Sequence, residues 1–283
     1  MFTKPTAPRS IGGVLDDSIR LYREGFAKSW ILALGAQLLV ALPMLYIRLK
    51  LVETGTANPQ ALLAIYQSPA FWLPYLAGAI ASIGFYNAIV LQLTGVFQGE
   101  VMPTGQYVAR GFRLLPCVLL LALVMVLVAA IFGMIFVLPG IYASVAVRAV
   151  LAVAAGVLGI YLFGRIYLAN LALVADGSGV FDSLRISWSL TRGHWWRGAT
   201  IYTVIVLIAL VFYFILGFVA GLIAVALGPT GAAAAGLTQL VSVLGTSVLA
   251  PLIPAALLCI YFDFKMRNEG ADLAGRVNAL APR

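Results

Sequence analysis

Six long apolar runs, each with few or no charges, constrain this chain more than anything else in its sequence. A helix needs about 20 residues to cross about 30 Å of hydrocarbon at about 1.5 Å of rise per residue. Runs of that length fall at 29–47, 70–93, 114–137, 149–173, 199–227 and 237–262. Composition agrees: of 283 residues, 63% are hydrophobic and 10% charged, with a mean hydropathy of +1.03. Soluble domains carry about 25% charged residues, because a compact apolar core needs a polar rind. A soluble enzyme, a disordered chain and a nucleic-acid-binding domain are therefore excluded. The expected class is all-α: a polytopic membrane bundle of six transmembrane helices.

Turn chemistry punctuates these runs. Leu138-Pro139-Gly140 is expected to close the third span, and Gly228-Pro229-Thr230-Gly231 to separate the fifth from the sixth. Only one turn signal interrupts 114–173, so that stretch reads as two spans. The chain is expected to be a single membrane domain over 1–283. Within it, 1–28 form a cytoplasmic amphipathic helix, 29–273 the six-span bundle and 274–283 a cytoplasmic tail. The first 28 residues hold no apolar h-region, so a cleaved secretory signal is not expected. Cys117 and Cys259 lie inside apolar runs, which excludes a disulfide framework and a CxxC site.

The net charge of +8 has a membrane explanation. With both ends on one side, that side holds Lys4, Arg9, Arg20, Arg23, Lys28, Arg110, Arg113, Arg185, Arg192, Arg197, Lys265, Arg267, Arg276 and Arg283. The opposite side holds Arg48, Lys50 and Arg148. The positive-inside rule then puts both termini in the cytoplasm of a cell with an inner membrane. Trp30, Trp72, Trp195 and Trp196 fall at span ends, where amphipathic rings favour the headgroup level.

The cytoplasmic connections carry helical periodicity. Ile11, Leu15, Ile19, Tyr22 and Phe26 form one stripe, with Asp16, Arg20, Arg23 and Glu24 on other faces. Before the fifth span, Val180, Leu184 and Trp188 lie beside Asp182, Arg185 and Arg192, and Thr104 begins a shorter helix before the third. Three interfacial helices are expected. Asp17-Ser18-Ile19-Arg20-Leu21 matches Asp182-Ser183-Leu184-Arg185-Ile186. The chain thus reads as three parallel units, each an interfacial helix followed by a transmembrane hairpin.

Three stretches carry a family likeness. They are Ile11-Gly12-Gly13-Val14-Leu15-Asp16 through Tyr22-Arg23, then Leu173-Val174-Ala175-Asp176-Gly177 with Ser183-Leu184-Arg185 and Ser187 to Gly193, and finally Tyr261 to Leu273. Through them the chain resembles the membrane domain fused to some glycerophosphoryl diester phosphodiesterases, and the related YciC-like bacterial membrane proteins. The resemblance implies a helix bundle of unknown activity. It does not imply a phosphodiesterase, whose barrel needs about 250 further residues.

Candidate chemistry is sparse. Arg165 is the one ionisable residue well inside a span, about 12 Å before its cytoplasmic end. An arginine there either snorkels or binds an anionic lipid or solute, with Asn87, Gln92, Asn170 and Gln239 as candidate partners. Arg20, Arg23, Arg110, Arg113, Arg185, Arg192, His194 and Arg197 are expected to contact headgroups, and Asp263 to form a structural ion pair with Arg185 or Arg192. Gly217 and Gly221, and Gly156, Gly159 and Gly164, are expected to let helices approach within the chain. Pro251 and Pro254 could break the sixth span. No catalytic motif is present: Asp176, Asp182, His194 and Asp263 are the acid–base stock read at the headgroup level, and no metal or cofactor is expected. The expected role is non-enzymatic, the organisation of anionic phospholipid or a partner protein at the cytoplasmic face, with homo-oligomerisation left open. The alternative is a transporter or channel for a small or amphiphilic solute.

Overall fold

The structure is a computed structural model that describes residues 2–5, 7–54, 63, 64, 66–100, 102–228 and 231–280. Its helices are α1 (Ile11–Thr54), α2 (Pro69–Gln98), α3 (Thr104–Arg113), α4 (Leu115–Tyr142), α5 (Val145–Ile166), α6 (Ala169–Ala175), α7 (Val180–Leu190), α8 (Trp195–Leu227), α9 (Ala232–Leu249) and α10 (Leu252–Leu280). No strand occurs among the described residues. Among the described residues, six helical segments are long and apolar enough to cross a membrane: Ile11–Lys50, Pro69–Gln98, Leu115–Tyr142, Val145–Ala175, Trp195–Leu227 and Ala232–Asn268. Each coincides with one of the expected runs, the third beginning one residue later, at Leu115. Helix is what such a run must form, because hydrocarbon offers no partner to an open N–H or C=O. Val126, Ile131, Val150, Val153, Phe214 and Val225 are all more than half exposed. Lipid, not water, is the solvent for such a surface.

The punctuation differs from expectation in informative ways. Pro139 lies inside α4, which runs on to Tyr142, and the hairpin turns at Ala143 and Ser144. Gly140 is buried there, with the Arg148 side chain in van der Waals range of its Cα substituent position. Spans four and six are each interrupted. The first break falls at Tyr167 and Leu168, between α5 and α6, and the second at Ala250 and Pro251, between α9 and α10. Pro251 has no N–H to continue a ladder, whereas Pro254 sits in the first turn of α10, where none is needed. The inter-span turn at Pro229 and Thr230 lies outside the described residues. Helix α10 continues into the segment expected as a tail, as far as Leu280.

The expected connecting segments form helices, and small or polar residues take much of their inner face. In α7 the buried positions are Ser183, Ser187 and Leu190, while Phe181 is 70% and Trp188 43% exposed. In the first turns of α1 they are Val14, Asp17, Ser18, Leu21 and Gly25, whereas Ile11 and Ile19 are exposed. The apolar stripes, expected on the face toward the membrane surface, are left partly exposed. Small hydroxyl residues take the inner positions because they allow close backbone approach and can bond to carbonyls.

Two compact units are present. The first comprises Met1–Lys4, Leu15–Arg113 and Tyr202–Leu258, and the second Pro5–Val14, Leu114–Ile201 and Cys259–Arg283. In the first, Ile205, Leu249, Leu252 and Ala256 form a core with Leu15 and Tyr22 against it. Glycines set its closest approaches: a Cβ on Gly78 would overlap the Leu39 carbonyl, and one on Gly111 would sit 2.5 Å from the Gly84 carbonyl. Around Gly156, Gly217 and Gly221 there is open space, whereas Gly159 lies in van der Waals range of Phe132 and Gly164 is pressed against Trp195, so only part of the expected stripes is where helices meet. A glycine stripe reports only that approach is allowed; which helix takes the offer depends on the rest of the fold.

Candidate functional site

The second unit holds a tight ionic knot. Asp263, on α10, is 2% exposed. Its Oδ1 accepts the Arg9 N–H at 3.0 Å, and its Oδ2 accepts both Arg197 Nε and Arg267 Nε at 3.0 Å. The Nη2 groups of Arg197 and Arg267 turn to the Arg9 carbonyl at 2.5 and 2.7 Å. Arg267 reaches Asp263 because i and i+4 share a helix face, and Arg197 because it opens α8. A buried carboxylate is tolerated only when paired and hydrogen-bonded like this. The expected partners were Arg185 and Arg192, and the structure corrects both. With the serines of α7 facing inward, Arg185 lies on the outer face and meets only Asp182 at 3.5 Å. Arg192, beyond the end of α7, is exposed.

The other acid–base groups are spread around the knot. Asp176 Oδ2 accepts the Tyr261 hydroxyl at 2.7 Å and Lys265 Nζ at 2.8 Å. The His194 ring lies 5.5 Å from that of Phe264. Burial pushes the His194 imidazole below its usual range, as does repulsion from Arg267 and Arg197, against the opposing pull of Asp263. Among the described residues, no group of three His, Cys, Asp or Glu could hold a metal ion.

Arg165 stands in a different setting. It occupies the last turn of α5, just before the break, where a cation complements the carbonyl end of the helix. Its Nε and Nη2 donate to the Tyr161 hydroxyl at 3.2 and 3.1 Å. The guanidinium carbon is 5.1 Å from the Tyr161 ring centroid and 5.2 Å from that of Trp188, two rings that themselves meet edge to face with centroids 6.3 Å apart. The Arg165 carbonyl accepts Ser187 Oγ at 2.8 Å, which ties α7 to the break. Nη1, by contrast, is buried without an acceptor, and so is Trp195 Nε1, whose indole lies against Gly164. Val157, Ile160, Tyr161, Trp195 and Trp196 line a groove of about 430 Å³ beside them.

None of the four amides expected beside Arg165 is hydrogen-bonded to it among the described residues. Asn87 and Gln92, buried in the first unit, donate to the Gly111 and Gly25 carbonyls at 3.3 and 3.4 Å. They link α2 to α3 and to α1. Gln239 also belongs to the first unit, on α9. Asn170, on α6, keeps a buried Oδ1 without a partner. The partners of Arg165 are instead the aromatic side chains of Tyr161 and Trp188. An aromatic four residues before an arginine on one helix was the signal available in the sequence. Arg20, Arg23, Arg110, Arg113, Arg185 and Arg192 are all exposed, whereas Arg197 is drawn into the knot. A second cleft, of about 740 Å³, is lined by apolar side chains of α1 and α2, among them Leu39, Leu42, Pro43, Phe71 and Pro74.

No family model, no curated protein and no solved structure matches the chain.

Proposed function

We propose that this chain is a non-catalytic protein of the bacterial plasma membrane, with both termini cytoplasmic, that organises anionic lipid at the cytoplasmic face. One observation carries the reading. Helix α7 buries serines and turns Phe181, Trp188 and Arg185 outward. In water that arrangement is inside out. At a membrane surface it suits both layers, since rings enter the acyl boundary and guanidiniums meet phosphate. Helix α3 repeats it on a smaller scale, with Tyr107 buried and Phe112, Arg110 and Arg113 exposed. Each nearby Lys or Arg adds about 1 kcal/mol of attraction to an anionic leaflet.

The same reading takes the interfacial helices and their hairpins as copies of one unit, and the chain as a relative of the YciC-like proteins. Support for the copies comes from Ser18 and Ser183, which occupy the same place in the matched pentapeptides and are both fully buried. The test is lipid selectivity in vesicles, read with spin-labelled phosphatidylglycerol against spin-labelled phosphatidylcholine. Replacing Arg110, Arg113, Arg185 and Arg192 together by Gln should abolish the preference for the anionic lipid. Equal selectivity before and after the change defeats the proposal.

A further inference from the structure

The knot around Asp263 uses its donors unevenly. Its members Arg9, Arg197, Asp263 and Arg267 all belong to the second unit. Asp263, deep in the knot, fixes both guanidiniums by their Nε atoms. That leaves the two Nη2 groups converging on one oxygen, the Arg9 carbonyl, at 2.5 and 2.7 Å. Among the described residues, neither guanidinium meets a second carboxylate. Two cations thus share one buried anion, and their converging edges hold a neutral acceptor. Guanidinium forks are matched instead to carboxylate and phosphate, whose charge strengthens each hydrogen bond.

The carbonyl sits on a segment that can move. Ala7, Pro8, Arg9 and Ser10 are non-helical and exposed, so this strap is the outermost layer over the guanidiniums. The Arg197 and Arg267 side chains themselves stay 18% and 26% exposed. Just past the strap, Ser10 caps α1: its Oγ accepts the Gly13 N–H at 3.1 Å and its carbonyl the Val14 N–H at 3.0 Å. Lifting Arg9 therefore breaks three main-chain bonds to the knot and unwinds no helical turn.

We infer that the Arg9 carbonyl stands in for a phosphate oxygen, and that the phosphodiester of an anionic phospholipid displaces it from Arg197 and Arg267. Arg197 opens α8 beside the exposed Trp196, which puts the pair at the headgroup level. The room for the phosphate is the room that the strap vacates. Phosphatidylcholine has the same phosphodiester, but its choline is a further cation beside two guanidiniums and one carboxylate. An anionic lipid binds only the state with the strap lifted and so draws the population toward it. The switch rests on the lipid reading above and deepens it. Surface arginines act on exchanging lipid, whereas one lipid on the arginine pair frees the segment before α1.

The experiment places the full chain in nanodiscs of phosphatidylcholine, with or without phosphatidylglycerol, and follows hydrogen exchange over residues 7–14 by mass spectrometry. In phosphatidylcholine the Arg9 amide, bonded to buried Asp263, should be protected. With phosphatidylglycerol it should exchange about tenfold or more faster. Equal rates in the two membranes overturn the inference. So does the same acceleration by millimolar inorganic phosphate in phosphatidylcholine alone, which assigns the arginine pair to a free anion. Arg267→Gln halves the fork, so its exchange should no longer respond to lipid; a response as large as wild type overturns the inference. Arg185→Gln, on the exposed face of α7, should respond like wild type, and loss of its response overturns it too. The wild-type comparison decides the matter even where Arg267→Gln fails to fold. If spin-labelled phosphatidylglycerol is still selected while the Arg9 amide stays protected, the surface reading stands and the switch falls.

Discussion

Trp30 and Trp195, which lie equally far downstream of Asp17 and Asp182 in the two similar pentapeptides, end in opposite conditions. In the first unit the indole N–H has an acceptor in Ser247, whose own hydroxyl is bonded in turn to the Leu244 carbonyl at 2.8 Å. In the second unit the indole N–H meets Gly164 and finds none. The contrast recurs among the charges of the second unit. Asp263 has every acceptor filled by Arg9, Arg197 and Arg267, while Arg165 keeps one donor open. A leftover buried donor costs about 1–3 kcal/mol. Groups that close their own bonds stabilise the fold; groups that leave a bond open detract from it.

Four changes test that contrast. The largest effect is expected at the knot. Asp263→Ala leaves two guanidiniums facing each other without a carboxylate and should cost about 3–5 kcal/mol, read as a lowered midpoint in thermal unfolding of the detergent-solubilised chain. A wild-type midpoint would mean that the knot is ornamental. Next comes Ser247→Ala, which leaves Trp30 Nε1 buried without an acceptor and should cost about 1–3 kcal/mol in the same assay. Its counterpart, Trp195→Phe, removes a donor that bonds to nothing. It should cost only the lost packing, less than Ser247→Ala. If Trp195→Phe proves the more damaging, the open donor is not open. The smallest effect concerns His194. With its folded pKa below the usual value of about 6.5, the unfolded chain binds more protons. Stability should therefore decline as pH falls from about 6.5 to the folded value, then level off. An NMR titration should place the His194 midpoint below 6.5, and Arg267→Gln should move it upward; a midpoint that does not move removes Arg267 as a cause.

Legibility differed between spans and sites for a physical reason. All six spans are readable because hydrocarbon imposes one rule on every residue it touches, so a run of apolar residues is a local signal. The connecting helices were readable as helices, but not the face that packs inward. Val180, Leu184 and Trp188 form the stripe that periodicity picks out, while Ser183 and Ser187 are the residues that pack inward. When lipid waits outside, an apolar stripe has two favourable places to go, and periodicity does not choose between them. Asp263 illustrates the same limit. Its need for a cation was evident from its position, but several arginines lay within plausible reach, and Arg197 and Arg267 won because α8 and α10 bring them to it.

By itself, then, the sequence determined an all-helical chain with six membrane-length helices, because composition and run length act residue by residue. Tertiary structure alone decided which arginines close on Asp263, which hydroxyl meets the carbonyl at the α5–α6 break, and which tryptophan is left without an acceptor. Those outcomes depend on the distance between atoms far apart in the chain. Ser247 and Gly164 look like minor residues until Trp30 and Trp195 are set beside them.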